Sequence, residues 1–324
     1  MTRLLRVVLA ASLAFVATTA AQAQQIRVLS ANPQGSIFYA GSVAIGKLMD
    51  DKLKMQVRVQ PMAGSSTYIP LLDSGEADFG LTNVDDAMSS YKGVGSFRQP
   101  NPNLRLIAAV FQLNFGILVP NDSPIKTIPD LKGKTIAWGY NAQVTGRVLQ
   151  QAALASEGLT MDDLKPVPTQ SLFSGVDMLG EGKVEAASLA IGTAQVQRAN
   201  VSLASRGGVR FLNVASTPEA LKRIQKHLPA RTVKVEPAPH AVGIVAPTTV
   251  IEYSVFFSTH AKMPDDVVYS IVKAIHGGKD DMVKSHPVFR SFRPSGMTEE
   301  IGVPWHPGAI KYYKEIGQWP PKTS

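Results

Sequence analysis

The chain of 324 residues contains no cysteine, and this absence excludes a disulfide framework, a thiolate nucleophile and a cysteine-based metal site. Its six histidines form no H-x-x-x-H or H-E-x-x-H pair, so the common sequence signature of a zinc site is missing as well. No activated nucleophile or catalytic pair of titratable residues stands out. The sequence therefore predicts a protein that is not an enzyme and that has no catalytic residues, metal site or cofactor.

Lysine and arginine form no long run, although the formal net charge is +8. Scattered basic residues indicate a solvated surface that attracts anions weakly, and they argue against a nucleic-acid partner. Gly133-Lys134-Thr135 ends like a phosphate-binding loop, but Ile128 stands where that loop needs a glycine, and a strand is predicted to follow where the loop needs a helix. We therefore expect neither nucleotides nor nucleic acid to bind.

A long hydrophobic run occurs once, at the start of the chain, where Arg3 and Arg6 precede an apolar stretch and the sequence Ala21-Gln22-Ala23. Basic, apolar and small residues in this order are typical of a secretory signal, and the run is shorter than a membrane span. Residues 1–23 are thus predicted to be a signal peptide cleaved near Ala23, and the mature protein to be periplasmic. Cleavage of the signal peptide would remove two arginines and lower the net charge from +8 to +6. The alternative interpretation is an apolar N-terminal helix of the folded domain.

What the sequence does contain is a weak internal repeat with a spacing near 108 residues. Apolar strands are predicted at 26–30 and 135–138, and each runs into a loop that contains asparagine and glutamine. A segment with helical periodicity follows each of these strands and predicts helices at 36–53 and 144–156. Second strands are then predicted at 57–61 and 165–168.

A second part of the repeat is the pattern L-x-x-G-x-x-acid, which begins at Leu72 and again at Leu179. Its glycines, Gly75 and Gly182, lie where a helix end needs a left-handed residue before the next strand. Alternating strands and helices predict an α/β fold of two lobes, each with a mainly parallel sheet.

Two extended apolar segments, 104–119 and 242–257, are predicted to cross between the lobes. Lobe one would then comprise residues 24–112 and 245–324, and lobe two residues 113–244. Two lobes joined by two crossing segments form a hinged clamp.

The loops that lead from strands into helices are rich in small, hydrogen-bonding residues, as in Gln34-Gly35-Ser36, Gly64-Ser65-Ser66-Thr67 and Asn83-Val84-Asp85. Ligands of open α/β sheets bind beyond the carboxyl ends of the strands, and helix N-termini attract anions. Plain helix capping is the alternative explanation for each loop taken alone. We interpret the adjacent acids Asp85-Asp86 and Asp265-Asp266 as capping residues, and His306 as a structural residue at the start of the last helix.

The mature sequence resembles, over nearly its whole length, the TAXI-type solute receptors of tripartite ATP-independent periplasmic (TRAP) transporters. The segments that carry the resemblance are Gly35-Ser36-Ile37-Phe38-Tyr39, Gly64-Ser65, Gly75-Glu76-Ala77-Asp78, Asp130-Leu131-Lys132-Gly133-Lys134, Met263-Pro264-Asp265-Asp266-Val267-Val268-Tyr269 and His306-Pro307-Gly308-Ala309-Ile310-Lys311-Tyr312-Tyr313-Lys314-Glu315.

This resemblance implies a type II periplasmic-binding-protein fold, capture of a small organic acid such as glutamate or 2-oxoglutarate, and delivery of that carboxylate to a TRAP membrane permease. A monomer is expected. The alternative function is a periplasmic ligand-binding partner of a membrane sensor kinase. The resemblance and the loop chemistry together give these candidate ligand-binding residues: Gly35, Ser36, Tyr39, Ser65, Ser66, Tyr68, Asn83, Trp138, Tyr140, Asn141, Thr145, Phe173 and Thr193.

The chain departs from the family pattern at Tyr68, where asparagine is common, and at Tyr140-Asn141-Ala142, where Ser-Gly-Thr is frequent. Both tyrosines are predicted to face the cleft, together with the aromatic residues Phe38, Tyr39, Trp138 and Phe173. Rings there would present apolar faces beside the anion-binding amides. The sequence therefore favours a less polar organic acid over glutamate.

Overall fold

The computed structural model describes residues 26–141 and 143–321, so the predicted signal peptide, residues 1–23, lies outside the described residues. Among the residues described, no helix is both long and apolar enough to cross a membrane. The main elements, in chain order, are β1 Arg27–Ala31, α1 Ile37–Leu53, β2 Val57–Pro61, α2 Ser65–Ser74, β3 Phe79–Asn83, α3 Val84–Lys92, β4 Leu104–Pro120, β5 Thr135–Gly139, α4 Thr145–Ala155, β6 Lys165–Thr169, α5 Leu172–Gly180, β7 Ala187–Ala190, α6 Ala194–Ser202, β8 Val209–Phe211, α7 Pro218–Gln225, β9 Arg231–Val235, β10 Thr248–His260, α8 Asp265–Gly277, α9 Lys279–Ser285 and α10 Pro307–Glu315.

The sheet of lobe one has the strand order β2-β1-β3-β10. Its first three strands are parallel, with Arg27 opposite Val57 and Leu29 opposite Phe79. β10 then runs antiparallel to β3 and pairs on its other side with β4. Parallel strands need crossover connections, which α1 and α2 supply here.

Lobe two repeats this construction. β5 and β6 are parallel, a bridge between Ile136 and Ala186 joins β5 to the start of β7, and β7 runs antiparallel to β4. β1, β2 and β3 begin at residues 27, 57 and 79, whereas β5, β6 and β7 begin at 135, 165 and 187, which is a constant offset of 108 residues. The internal repeat is thus confirmed.

The two long strands β4 and β10 belong to both lobes. They pair with one another over residues 104–115 and 251–260, and beyond that β4 pairs with β7 and β8, while β10 pairs with β9. The predicted fold class, an α/β fold with two lobes hinged by crossing segments, is confirmed. The strands of the repeated units are parallel as predicted, and the crossing strands add antiparallel neighbours.

The apolar core follows these strands. One cluster runs along β4 from lobe one, where it includes Phe79, Phe111 and Phe257, into lobe two as far as Leu149. A second cluster lies under α5 and α6 of lobe two and includes Phe211. The core is thus continuous along β4, and this strand connects the two lobes.

Two predicted helix terminators have the expected backbone. Gly75 closes α2 with φ of 85°, and Gly182 follows α5 with φ of 73°. His306, at the start of α10, is fully buried. Its Nδ1 accepts a hydrogen bond from the Gly308 N–H at 3.2 Å, so the Nε2 proton is free to donate to the Met263 carbonyl at 3.0 Å. The structural role predicted for His306 is confirmed.

Candidate ligand-binding site

The starts of six helices, three from each lobe, meet at one cavity between the lobes, which we call the inner cavity. Parallel strands of each repeat deliver these helix starts to the same edge of the sheet. Six of the residues predicted from the sequence line this cavity, one at each helix start: Ser36, Ser65, Asn83, Thr145, Phe173 and Thr193.

Two of these residues, one from each lobe, cap their helices through hydroxyl oxygens. The Ser36 Oγ accepts from the Tyr39 N–H at 3.0 Å, and the Thr193 Oγ1 accepts from the Val196 N–H at 3.4 Å. Since each oxygen receives the capping bond, the hydroxyl proton remains free to donate elsewhere.

The inner cavity is small and carries no charged side chain among the lining residues that the structure describes. It offers about 50 Å³ to the centres of water molecules. Much of its wall is apolar, and the apolar lining side chains include Leu113, Phe115, Leu149, Leu172 and Leu189.

Behind the wall of lobe one lies a buried carboxyl group, Asp86, in the first turn of α3. Ser65 donates its hydroxyl proton to Asp86 Oδ2, and the Asn83 Nδ2 group lies 3.5 Å from the same oxygen. Ser66 Oγ lies 3.4 Å from Oδ1. Burial raises the pKa of Asp86, and these hydrogen bonds act in the opposite direction.

Thr145 of lobe two lies near the same carboxyl group. It is close enough to lower the pKa of Asp86, although no hydrogen bond of normal geometry joins the two and the buried Thr145 Oγ1 has no partner within the described residues. Asp85, the neighbour of Asp86, is partly buried, and this burial, followed by the charge of Asp86, raises the pKa of Asp85 to about 7. The interpretation of both acids as simple caps missed this cluster, because burial depends on α2 packing over α3.

The prediction that Tyr68 and Tyr140 face the cleft is wrong. Both are fully buried. Tyr68 points into the core of lobe one and donates its hydroxyl to the Leu81 carbonyl. Tyr140 adopts a left-handed backbone with φ of 47°, which turns its ring under lobe two, where its hydroxyl donates to the Ala137 carbonyl.

The other predicted residues lie near the inner cavity but do not line it. Trp138 is half-buried and packs its ring 6.4 Å from that of Tyr140 in an edge-on arrangement. Tyr39 supplies only its backbone N–H to Ser36, Ser66 reaches Asp86, and Asn141 is exposed. Gly35 lies against Ala194 of lobe two: a Cβ added at Gly35 would be 4.0 Å from the Ala194 Cβ.

The sequence analysis missed polar residues of the cavity wall, namely Asn32, Gln143 and Tyr253. Gln143 lies in the loop that the repeat had marked, and its Oε1 accepts from the Leu172 N–H at 2.9 Å, which leaves its Nε2 group as a donor. Tyr253 comes from the crossing strand β10, which the loop pattern does not mark. Burial and the charge of Asp86 raise the pKa of Tyr253, so its hydroxyl keeps its proton.

A larger space, which we call the outer cavity, adjoins the inner cavity at Ile37 and Leu113. It offers about 360 Å³ to water centres and is lined by basic and polar side chains that include His240, His286 and Arg290. No acidic residue is among the lining residues that the structure describes. The positive charge of Arg290 would attract an anion that entered from this side.

The chain matches one protein family in sequence and several solved structures in fold. The model of the NMT1-like family matches residues 29–317. Among solved structures, the chain is similar to PhnD1 of Prochlorococcus marinus in complex with methylphosphonate, with 12% identity, a TM-score of 0.55 and coverage of 91% of this chain and 97% of that one.

Two further structures are similar at the same level. The alkanesulfonate-binding protein SsuA of Xanthomonas axonopodis pv. citri, bound to MOPS, has 15% identity, a TM-score of 0.51 and coverage of 91% of both chains. The amino acid ABC transporter substrate-binding protein AbpA of Streptococcus pneumoniae, bound to L-arginine, has 12% identity, a TM-score of 0.50 and coverage of 82% of this chain and 94% of that one. These likenesses establish the two-lobed fold of periplasmic binding proteins.

Proposed function

The chain belongs to the NMT1-like family, and from this membership and the geometry of the cleft we propose that it is a periplasmic solute-binding protein that captures a small organic acid for a membrane transporter. The observation that carries the proposal is the inner cavity itself, which is lined by helix starts of both lobes. A ligand there would contact both lobes at once, and this is how a hinged clamp captures a solute.

Several features support a carboxylate as the anionic group. The first backbone N–H groups of a helix have no partner inside the helix, and the positive end of the helix dipole favours negative charge. The free hydroxyl protons of Ser36 and Thr193 lie at two such helix starts and add donors. Since these are neutral donors, they suit one carboxylate group and do not require a lysine or arginine.

A less polar acid than glutamate fits the rest of the cavity. Glutamate would bring a second carboxylate and an ammonium group into a space without a charged lining residue, and burying unpaired charge is costly. The side chains of Leu113, Phe115 and Leu189 would instead contact a short apolar body. Tyr68 and Tyr140 do not contribute to this preference, because they do not line the cavity.

We infer that the transporter is of the TRAP type, and this rests on the sequence resemblance, above all on residues 306–315. The similar protein AbpA is a substrate-binding protein of an amino acid ABC transporter, but at 12% identity that likeness concerns the fold. An ABC permease is therefore the alternative membrane partner. Uptake by vesicles that contain either permease, with the receptor added, would distinguish the two.

A thermal-shift screen of the mature protein against monocarboxylates, dicarboxylates and amino acids tests the function. A ligand present at 100 times its dissociation constant stabilises the folded state by about 2.7 kcal/mol. We expect short monocarboxylic acids to raise the melting temperature and glutamate to do so less or not at all. If no organic acid shifts the transition and calorimetry finds no heat of binding, the proposed function is wrong.

A further inference from the structure

The inner cavity has two chemically different sets of polar groups in its wall. In the first set, the Ser36 and Thr193 hydroxyl oxygens accept capping bonds, so their protons are available to a ligand. These two helix starts lie close together across the cleft, because Gly35 and Ala194 approach one another beside them. This donor set suits a carboxylate.

The second set, Ser65 and Asn83 on the wall of lobe one, contributes acceptors. The Ser65 hydroxyl proton is committed to Asp86, so the Ser65 oxygen can offer only lone pairs to the cavity. Asn83 Nδ2 lies 3.5 Å from both Ser65 Oγ and Asp86 Oδ2, and its Oδ1 is buried without a hydrogen-bond partner in the part of the chain that the structure describes.

The orientation of the Asn83 amide follows from its surroundings. Turning the amide over would place Oδ1 against the Asp86 carboxyl group and the Ser65 oxygen, where acceptor would face acceptor. Asn83 is about nine-tenths buried, with 8% of its surface exposed. An acceptor buried this far without a partner destabilises the ligand-free protein, so a donor supplied by the ligand would remove this cost and favour binding.

We propose that the organic acid captured in the inner cavity is a short-chain hydroxy acid, whose carboxylate binds at Ser36 and Thr193 and whose hydroxyl donates to Asn83 Oδ1. This inference rests on the proposed function and narrows it. A hydroxyl fits better than an ammonium group, because the carboxyl group of Asp86 lies behind Ser65 and Asn83 and does not line the cavity. An ammonium group would therefore be buried there without a direct ionic partner. The small volume of the cavity favours a short chain.

Matched ligand pairs test the proposal by isothermal titration calorimetry. The probes are lactate against propionate, 3-hydroxybutyrate against butyrate, and lactate against alanine. We expect the better hydroxy acid to bind at least tenfold more tightly than its deoxy analogue, and alanine to bind more weakly than lactate. In Asn83→Ala the preference for the hydroxy acid should fall to less than threefold, while Thr193→Val should weaken both members of the pair by similar factors.

Each outcome has a definite meaning, provided that circular dichroism shows the variants to be folded. If Asn83→Ala does not fold, Ser65→Ala is measured in its place. Loss of the Ser65 hydroxyl removes one of the two acceptors that orient the Asn83 amide, so the preference for the hydroxy acid over its deoxy analogue should again fall. Equal binding of a hydroxy acid and its analogue by the wild-type protein overturns this inference and leaves the proposed function intact. Tighter binding of alanine than lactate overturns it in favour of an amino acid. Absence of binding by every carboxylate overturns the proposed function itself.

Discussion

Asp85 is one of the carboxyl groups whose ionisation is opposed by burial in the folded protein. Its pKa is about 7 in the folded protein, against 3.8 for an unperturbed aspartate. Below pH 4 the carboxyl group carries its proton in both states, so it has no effect on stability. Between pH 4 and pH 7 the unfolded chain ionises first and is favoured, and above pH 7 the penalty is constant.

We therefore expect the free energy of unfolding to fall as the pH rises from 4 to 7, with a contribution from Asp85 on the order of 4 kcal/mol. Asp85→Asn should lack this part of the pH dependence and should be more stable than wild type at pH 8. Urea unfolding followed by circular dichroism at several pH values measures both effects. Identical pH profiles for wild type and variant would contradict the assignment.

Tyr140 illustrates how a residue near a ligand site can serve the core alone. Tyr140→Ser removes a fully buried ring and should cost about 3 to 5 kcal/mol of stability. Tyr140→Phe removes only the hydroxyl that donates to Ala137 and should cost about 1 kcal/mol. Calorimetry should find the affinity for an organic acid unchanged in the Phe variant. A folded Tyr140→Phe protein with tenfold weaker binding would show that the hydroxyl acts at the site after all.

At the scale of elements, a residue at a helix start can both cap the helix and bind the ligand, and the two roles can be separated by mutation. Ser36→Ala should lose about 1 kcal/mol of stability with its cap and at least tenfold in ligand affinity with its donor. Thr217 is a matched control, because it caps α7 through the Ala220 N–H at 3.2 Å and does not line the inner cavity. Thr217→Ala should show the same loss of stability and no change in affinity. Equal affinities in both variants would mean that Ser36 acts only as a cap.

Helix starts could be predicted from the sequence because small polar residues before an apolar period are a local signal. The 108-residue repeat then placed Ser36 and Thr145 at the starts of equivalent helices. The directions of Tyr68 and Tyr140 could not be predicted, because they depend on a core packed from distant strands and on a left-handed backbone at a residue other than glycine. Tyr253 and Leu113 could not be found either, since they reach the cavity from crossing strands without any loop pattern.

The same limit applies to Asp86. An acid in the first turn of a helix is a common capping residue, and the adjacent pair Asp85-Asp86 has no feature in the sequence that marks one member as buried. Asp86 is buried because α2 packs over α3 and brings Ser65, 21 residues away in the chain, into hydrogen-bonding contact with it. Polar clusters assembled from separate elements therefore need the tertiary structure, even where each element is correctly predicted.

At the scale of the whole molecule, the crossing strands define where the lobes can pivot. On β10, lobe-one pairing with β3 begins at Val255 and pairing with β9 ends at Glu252, so Tyr253 and Ser254 lie between the two sets. On β4, pairing with β7 begins at Phe115. Tyr253 and its strand partner Leu113 also line the inner cavity. A ligand bound there would therefore contact the pivot, and its binding would affect the angle between the lobes.

We predict that the lobes close on the ligand about this pivot and that Arg147 helps to hold the closed form. The Arg147 guanidinium on α4 of lobe two donates to Ser96 Oγ of lobe one at 2.6 Å, and an open cleft would separate this pair. Small-angle X-ray scattering should show a smaller radius of gyration for the ligand-saturated protein than for the free protein. An unchanged radius at full occupancy would indicate a rigid cleft.

Arg147→Ala should leave the fold intact and destabilise only the closed form. A hydrogen bond to a charged group contributes about 1.5 to 3 kcal/mol when buried, and less at an exposed site such as Ser96, so we expect the ligand to dissociate roughly three to ten times faster in stopped-flow measurements. Arg206→Ala is the matched control, because Arg206 pairs with Asp122 at 2.7 Å within lobe two and its loss should not change dissociation. Ser96→Ala should reproduce the effect of Arg147→Ala, and the double variant should add nothing further, since both changes remove the same contact. Equal dissociation rates in Arg147→Ala and Arg206→Ala would exclude this contact as a latch, whatever the scattering shows about closure.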